Sequence, residues 1–463
     1  MRVLPAPETR PALHVPVLVI GAGAAGLVTA LAASDFGGEA LVVEADAAPS
    51  GSTALSAGLI PAARTRLQTA AGIEDSAALF AADVQNKARF ENPQDLVDVL
   101  AQNAGPTVDW LAERFGLPFS LVDDFDYPGH SRRRMHGLPT RSGRELADRL
   151  RSACEAEGID IVCNRRAVAL HRDGDRIVGV ELQGPSGPEL VGCDALVLAC
   201  GGFGGDRGMV ARFMPGIEGA LWFGHDGNRG DAITWGEALG AERRHLGAYQ
   251  GHGNVAHPQG VLITWAVIAE GGIQANLRGE RFWDESQGYS EAARAVLAQP
   301  EGVAWSVFDT RIAAVARQFQ DFRDAESMGA VRTAATVAEL ARATGLPEDR
   351  LRETLRALPR NGVDGFGRRF PDRPLTPPYC AVKVTGALFH TQGGLSVTNE
   401  ARVRRSEGSH FPNLFATGGA AAGVSGSGDS GYLSGNGLLS AVVLGRIAGR
   451  RAAADTRTRR VSA

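Results

Sequence analysis

The sequence predicts an α/β protein in which a parallel-sheet nucleotide-binding domain is interrupted by an inserted α+β capping domain. Three observations carry that prediction. Residues 15–20 read as a short buried strand that runs straight into Gly21-Ala22-Gly23-Ala24-Ala25-Gly26 and then into a helical apolar stretch, 27–33. A second apolar strand, Ala40–Val43, ends on the acid Glu44. Further on, residues 241–378 change character before glycine-rich sequence returns. Strand, glycine turn, helix, strand and acid in that order define a Rossmann-like dinucleotide site.

Each element has its own reason. The first eleven residues, with three prolines and mixed charges, read as a disordered tail. In the turn, Gly21 permits the sharp bend, Gly23 lets the backbone approach a pyrophosphate, and Gly26 lets helix and strand pack closely. The helix N-terminus at Ala24 and Ala25 then offers N–H groups to an anion. Glu44, followed by Ala45, lies about 20 residues on, where an acid accepts hydrogen bonds from a ribose diol. The expected domain limits are 12–240 and 379–463 for the two parts of the nucleotide domain, with 241–378 as the insert. Within the insert, 260–269 reads as a strand, 311–322 and 336–358 as helices, and 371–378 as a proline-rich exit. An inserted domain of this kind places substrate at its junction with the host domain, so catalytic residues are expected from both. The arginine-rich end, 450–460, reads as a solvated tail.

Composition excludes several functions. The chain has 463 residues, net charge −4, 44% hydrophobic and 22% charged residues, the balance of a globular protein without an electrostatic footprint for nucleic acid. Residues 15–33 are uncharged, but Gly21, Gly23 and Gly26 argue against a membrane span, and no other stretch is a candidate. The five cysteines form no CxxC pair, so no metal site is expected, and a reducing, cytoplasmic setting is.

Later motifs narrow the cofactor. Ser50-Gly51-Ser52-Thr53 continues to Ala57-Gly58; a strand over 195–199 enters Cys200-Gly201-Gly202-Phe203-Gly204; Ala416-Thr417-Gly418-Gly419 precedes Leu433-Ser434-Gly435-Asn436-Gly437-Leu438. In this order, over about residues 15–450, the chain resembles the flavoprotein family of fumarate reductases, succinate dehydrogenase flavoprotein subunits and 3-ketosteroid dehydrogenases. The resemblance implies FAD held by these loops, with Ala167 and Asp429 added to the cofactor contacts. It also implies that Gly435 and Asn436 open a helix facing the isoalloxazine ring. Family members with covalent FAD carry a histidine in the segment matching 50–56. None is present here, so non-covalent FAD is expected. Gly419 stands where the family often has glutamate, with Asp429 a possible substitute.

The resemblance also addresses the reaction. Fumarate reductases clamp a dicarboxylate with arginines, which lysine or tyrosine does not replace geometrically. In Arg281-Phe282-Trp283-Asp284-Glu285, the family's proton-delivering arginine falls four residues on, at Tyr289. The second family arginine, before the final turn, falls at Tyr432. The 3-ketosteroid dehydrogenases have tyrosines at both places. Carried over, Tyr289 removes a proton beside a ketone, and Tyr432 with the backbone N–H near Gly435 holds the carbonyl oxygen as it gains enolate character. A phenol with a pKa near 10 needs its anion stabilised to act as base, by a helix terminus or by a second hydroxyl such as Tyr127. His252 and His390 resemble residues through which fumarate reductases contact a carboxylate, which suggests a small ketone or keto acid such as an oxocyclohexane carboxylate. They could equally serve only to order the loops around the flavin.

The leading expectation is an FAD-dependent desaturase placing a C=C bond beside the carbonyl of a cyclic ketone, small keto acid or 3-ketosteroid. The alternative is a fumarate reductase-like or ene-type reductase of an unsaturated acid or ketone. A flavoprotein subunit without substrate chemistry is the third. The electron acceptor, whether oxygen, quinone or a carrier protein, is not encoded in any motif.

Overall fold

Val17, Leu18 and Val19 are fully buried, and Val42 and Val43 beside them almost so, so the glycine turn hangs from the middle of a sheet. The structure, a computed structural model, describes residues 1–122, 127 and 129–462. It divides into two units, residues 1–209, 224–249 and 390–463, and residues 210–223 and 250–389.

The first unit is built on a nine-stranded sheet. Its strands are β1 (Arg2–Pro5), β2 (Leu13–Ile20), β3 (Ala40–Val43), β4 (Asp160–Val162), β5 (Arg166–Asp173), β6 (Arg176–Gly184), β7 (Gly187–Leu198), β8 (Arg402–Arg404) and β9 (His410–Ala416). The main path runs β1-β5-β6-β7-β2-β3-β4, and β9 pairs with β7 and with β8. Parallel pairing of β2 with both β7 and β3 places Ile20 opposite Leu198 and Val43, so three strand ends converge on the glycine turn. Crevices beyond such strand ends are where open α/β sheets bind ligands.

Helix α1 (Ala24–Asp35) follows the turn, and ten of its twelve residues are buried. Against it lies the last helix, α2 (Asn436–Ser462). Their approach is set by glycines: a Cβ on Gly445 would stand 2.7 Å from the Ala25 carbonyl oxygen, and one on Gly449 would stand 2.1 Å from that of Thr29. The arginine-rich end is therefore part of a packed helix, because Ala448, Ala452, Ala453 and Thr456 are buried along one face while Arg450, Arg451, Arg457 and Arg459 are exposed. The N-terminal segment also departs from expectation. Residues 2–5 pair in parallel with 169–172, and Arg2 bonds Glu181 at 2.9 Å, so the sheet edge captures what its prolines alone suggested was a tail.

The second unit has a six-stranded sheet with Val303–Asp309 and Tyr379–Thr391 at its centre. Helices Thr310–Ala316, Gln320–Ser327, Val337–Thr344 and Glu348–Arg356 occupy the stretches with helical pattern. Residues 260–269 do not form the expected strand. Val261 and Ile263 are hooked to 256 and 254 by backbone bonds, and Ala266–Ala269 then turns into a short helix, because this apolar run is buried as a plug and not along a sheet. No helix among the described residues is long and apolar enough to cross a membrane, and no cluster of metal-ligating side chains occurs among them.

Candidate active site

The nucleotide cradle assembles in the first unit. Gly21 has φ +104°, and a Cβ there would meet the Ala199 carbonyl oxygen at 2.5 Å. Gly26 is tighter: its Cβ would stand 1.8 Å from the Gly21 carbonyl oxygen. Gly23 differs in kind, since its Cβ would find Thr53 Oγ1 at 3.4 Å, which is ordinary contact. Gly23 is thus not needed for the chain's own packing, which fits a position reserved for close ligand approach. It caps α1 with no side-chain bond, leaving the helix N-terminus open to an anion. Thr53 Oγ1 accepts from Ala24 N at 2.9 Å and so fixes the short helix Gly51–Ala54 against the turn. Glu44 accepts from Ala22 N at 2.7 Å and Asp46 N at 3.0 Å, bonds that orient its carboxylate at the end of β3.

Asn228 ties two of these loops together. Its Nδ2 donates to Ser52 Oγ at 2.8 Å, and its Oδ1 accepts from Gly202 N at 2.9 Å. Gly201 has φ +75° and no room for a Cβ beside Asn228. Desolvation pushes the neighbouring Cys200 thiol up to about 12, so it stays protonated. Ala167 is buried in β5. Gly418 packs between Ala25 and Ala441, bringing α1 and α2 to the same turn, with Leu438 half-buried in the first turn of α2. Glycine cradle, open helix terminus and the buried Asn436 Oδ1, which has no partner among the described residues, fit a dinucleotide cofactor. These are the residues that would hold FAD.

At the start of α2, Tyr432 is 7% exposed, and its Oη accepts from Gly435 N at 3.3 Å. Burial pushes this phenol well above its usual range despite the backbone N–H groups of Gly435 and Gly437, so it keeps its proton. The peptide between Ser434 and Gly435 is held at both ends, because His130 Nε2 donates to the Ser434 carbonyl at 3.0 Å. His390 stands edge-on to Tyr432 at 5.7 Å between ring centres, and burial holds its pKa down to about 4. Gly437 makes that position possible, since a Cβ there would lie 2.7 Å from His390 Cε1.

In the second unit, Tyr289 is the first residue of helix Tyr289–Leu297, where the helix dipole favours negative charge. Ser290 Oγ accepts from Gly251 N at 3.0 Å and binds this helix to the strand carrying His252. Four rings then stack in sequence. Phe223 lies on Phe389 at 4.9 Å, Phe389 on His252 at 5.5 Å, and His252 on Tyr289 at 5.0 Å, with interplanar angles of 17°, 21° and 17°. Trp265 meets His252 edge-on at 5.8 Å. His252 Nδ1 accepts from Asn254 N at 3.2 Å, so its proton is on Nε2, and desolvation holds its pKa down to about 3. His252 is therefore a neutral N–H donor.

A family model described as FAD binding domain matches residues 16–438. The chain belongs to this family of flavoproteins. It is 33% identical over 450 residues to a Shewanella frigidimarina protein described as a probable fumarate reductase, covering 94% of this chain and 74% of that one. It is 24% identical over 535 residues to the 4-oxocyclohexanecarboxylate 2-dehydrogenase of Sinomonas cyclohexanicum, covering 90% and 92%. Among solved structures, the open conformation of a flavocytochrome c3 fumarate reductase superposes with TM-score 0.82 at 31% identity, over 96% of this chain and 79% of that one. A 3-ketosteroid-Δ4-(5α)-dehydrogenase from Rhodococcus jostii shares the fold, with TM-score 0.79 at 24% identity over 98% and 100%. This flavoprotein is accordingly an FAD-dependent oxidoreductase acting on CH–CH groups.

Of the residues singled out from the flavoprotein's sequence, the glycine turn, Glu44, Ser50 to Thr53, Cys200 to Gly202, Gly418 and Asn436 to Leu438 lie in the first unit, together with Tyr432, Gly435 and His390. Ala45 follows Glu44 directly, Gly58 is packed under the Ser142 carbonyl, and Ala57 is exposed. Tyr289 and His252 lie in the second unit. Tyr127 is half-buried, and its carbonyl accepts from His130 N at 3.2 Å. Its neighbours Asp126 and Pro128 lie outside the described residues. Asp429 is half-buried in the loop before Tyr432. Sequence reasoning passed over Asn228, His130, Gln392 and Ser425. Asn228 sits in a Gly-Asn-Arg-Gly turn, and Gln392 lies in the segment already noted at His390, so each had a local signal without a stated role.

Proposed function

We propose that this flavoprotein reduces the C=C bond conjugated to the carbonyl of a ketone or monocarboxylic acid, holding FAD non-covalently. The observation that carries the reading is the charge state of its donors. Tyr432 keeps its proton, and His252 and His390 are held neutral by burial. Tyrosines also stand at the two places where the family resemblance puts arginines. Neutral O–H and N–H donors of this kind do not compensate a dianion such as fumarate, whose desolvation is costly. A carbonyl oxygen is suited to them, because neutral O–H and N–H donors strengthen as enolate charge develops. The kinship to fumarate reductases supports the reductive direction.

FAD held in the glycine cradle would, in its reduced form, supply hydride chemistry to the carbon β to the carbonyl. Tyr289 gives the proton to the α carbon, so the C=C bond becomes CH–CH and charge balances. Tyr432 and His390 donate to the carbonyl oxygen, and His252 offers its Nε2–H to a second oxygen where the substrate has one. The absence of histidine from residues 50–56 supports non-covalent FAD.

A second reading runs the same steps in reverse, as a desaturase of a cyclic ketone or keto acid. The tyrosine pair favours it, as does the likeness to a 4-oxocyclohexanecarboxylate dehydrogenase. Anaerobic flavin spectroscopy separates the two. Dithionite-reduced protein is mixed with cyclic enones, enoates and fumarate, and oxidised protein with the saturated partners. The reductive reading expects reoxidation by an enone or enoate, much slower reoxidation by fumarate, and loss of the fast phase in Tyr289→Phe with FAD retained. Fast reoxidation by fumarate would overturn the donor argument. Bleaching of the oxidised flavin by a saturated ketone, without reoxidation by its unsaturated partner, would make the enzyme a desaturase.

A further inference from the structure

A buried line of side chains in the first unit runs from the start of α2 to His390, and its polarity can be read from one end. The Val424 carbonyl can only accept, and it receives Nδ2 of Asn92 at 3.1 Å and Nδ2 of Asn436 at 3.0 Å. That fixes which way the Asn436 amide faces. The same Nδ2 reaches Ser425 Oγ at 3.2 Å, so the proton of Ser425 passes onward, to Gln392 Oε1 at 2.8 Å. With its oxygen engaged there, Gln392 must present Nε2 to His390 Nδ1, at 2.7 Å. Nδ1 is then an acceptor, and the imidazole proton resides on Nε2. The competing arrangement, Nδ1–H donating to the Thr391 carbonyl at 3.3 Å, is longer and would set the Gln392 N–H against another N–H. Asn436, Ser425 and Gln392 are 0%, 1% and 5% exposed, so reversing the line would strand several donors away from water.

We propose that Gln392 and Ser425 are positioning residues that lock His390 as its Nε2–H tautomer, with Asn436 setting the direction of the line. His390 then meets its substrate oxygen as a donor and never as an acceptor. That last step rests on the function proposed above; the tautomer assignment does not. Neither residue touches the reacting atoms. They act by deciding which face of the imidazole carries the proton, a role that a merely space-filling side chain could not have.

The test uses holoprotein labelled with ¹⁵N-histidine, in which His390 is identified by the signal lost in His390→Asn. Wild type is expected to show a pyridine-type Nδ1 and a pyrrole-type Nε2 at pH 7. In Gln392→Glu the carboxylate accepts from Nδ1, and in Gln392→Met only the Thr391 carbonyl remains, so either variant moves the proton to Nδ1. Either one suffices if the other does not retain FAD. Turnover in the retained variant is expected to fall about 100-fold in kcat/KM, the scale of losing one donor to a developing oxyanion, with the flavin-to-protein absorbance ratio unchanged. An Nδ1–H signal in wild type, or an unmoved proton in the variants, overturns the proposal whatever the activity. A proton that moves while turnover is unaffected leaves the line of bonds standing and removes His390 from substrate recognition.

Discussion

Glu285→Gln is the most informative single change in the second unit. The Glu285 carboxylate is fully buried and accepts from Gln274 N at 3.0 Å, Arg281 Nε at 3.0 Å and Arg368 Nη1 at 3.0 Å, with a further close bond from Arg281 Nη2. Arg281 also pairs closely with Asp364, and the two arginines and Asp364 are 7%, 5% and 6% exposed. Two cations therefore face two anions in a largely buried site. Glutamine keeps the shape and one acceptor but leaves one positive charge uncompensated. Removing one partner of a buried pair costs about 3–5 kcal/mol, and the retained amide oxygen argues for the lower end, about 3 kcal/mol. At roughly 2–4 °C per kcal/mol for a unit of this size, the second unit should melt about 6–12 °C lower. Urea unfolding of FAD-saturated protein, followed by tryptophan fluorescence, measures it, since Trp265, Trp283 and Trp305 all lie in that unit. Adding Arg368→Gln restores the charge balance, so the double variant should lose at least about 1 kcal/mol less than the sum of the singles. A loss below about 1 kcal/mol for Glu285→Gln, or strict additivity in the pair, would refute the electrostatic account.

Two further outcomes follow from other parts of the structure. Gly23→Ala should leave the apoprotein as stable as wild type while weakening FAD binding, whereas Gly26→Ala should destabilise the apoprotein itself, because only the second substitution collides with backbone, at 1.8 Å; apoprotein melting and FAD titration distinguish them. Stability should also fall with acidity: His130, His136 and His390 are held near 4 and His252 near 3, below their unfolded value of 6.5. The unfolded chain thus takes up protons that the native one refuses, so this stability is fully present above pH 6.5 and is lost as pH falls toward 4, at roughly 1.4 kcal/mol per pH unit for each histidine. Urea midpoints between pH 7 and pH 5 check the slope, which His252→Asn should reduce by one histidine's share.

What was legible in the sequence was what depends on neighbours in the chain. The glycine turn could be read because its three glycines and the strand before them lie within twelve residues, 15–26, and Tyr289 and Tyr432 because each sits at fixed spacing from a motif. What could not be read depends on contacts between distant segments. The ring stack gathers residues 223, 252, 289 and 389, and no local pattern distinguishes those rings from other core aromatics. Asn228 acts on Ser52, 176 positions away. The hydrogen-bonded line behind His390 joins two loops and the first residue of α2, whose polar residues look like ordinary turn and cap chemistry. The same cause separates residues 2–5 from the expected tail: their prolines point to disorder, while an unpaired sheet edge far along the chain decides their structure.

The contact between α1 and α2 bears on how the protein is made. Helix α1 leaves the ribosome about 400 residues ahead of α2, which at 5–20 residues per second is a delay of roughly 20–80 s. Through that interval the face of α1 that Gly445 and Gly449 will cover has no native cover, and β9 has yet to join β7. The second unit, encoded in between, has its own sheet and core and can form first. The turn of Gly418, which needs both Ala25 and Ala441, cannot close until α2 has been made. FAD capture therefore waits for α2, and a chain truncated within α2 should emerge from translation colourless, with its insert already folded.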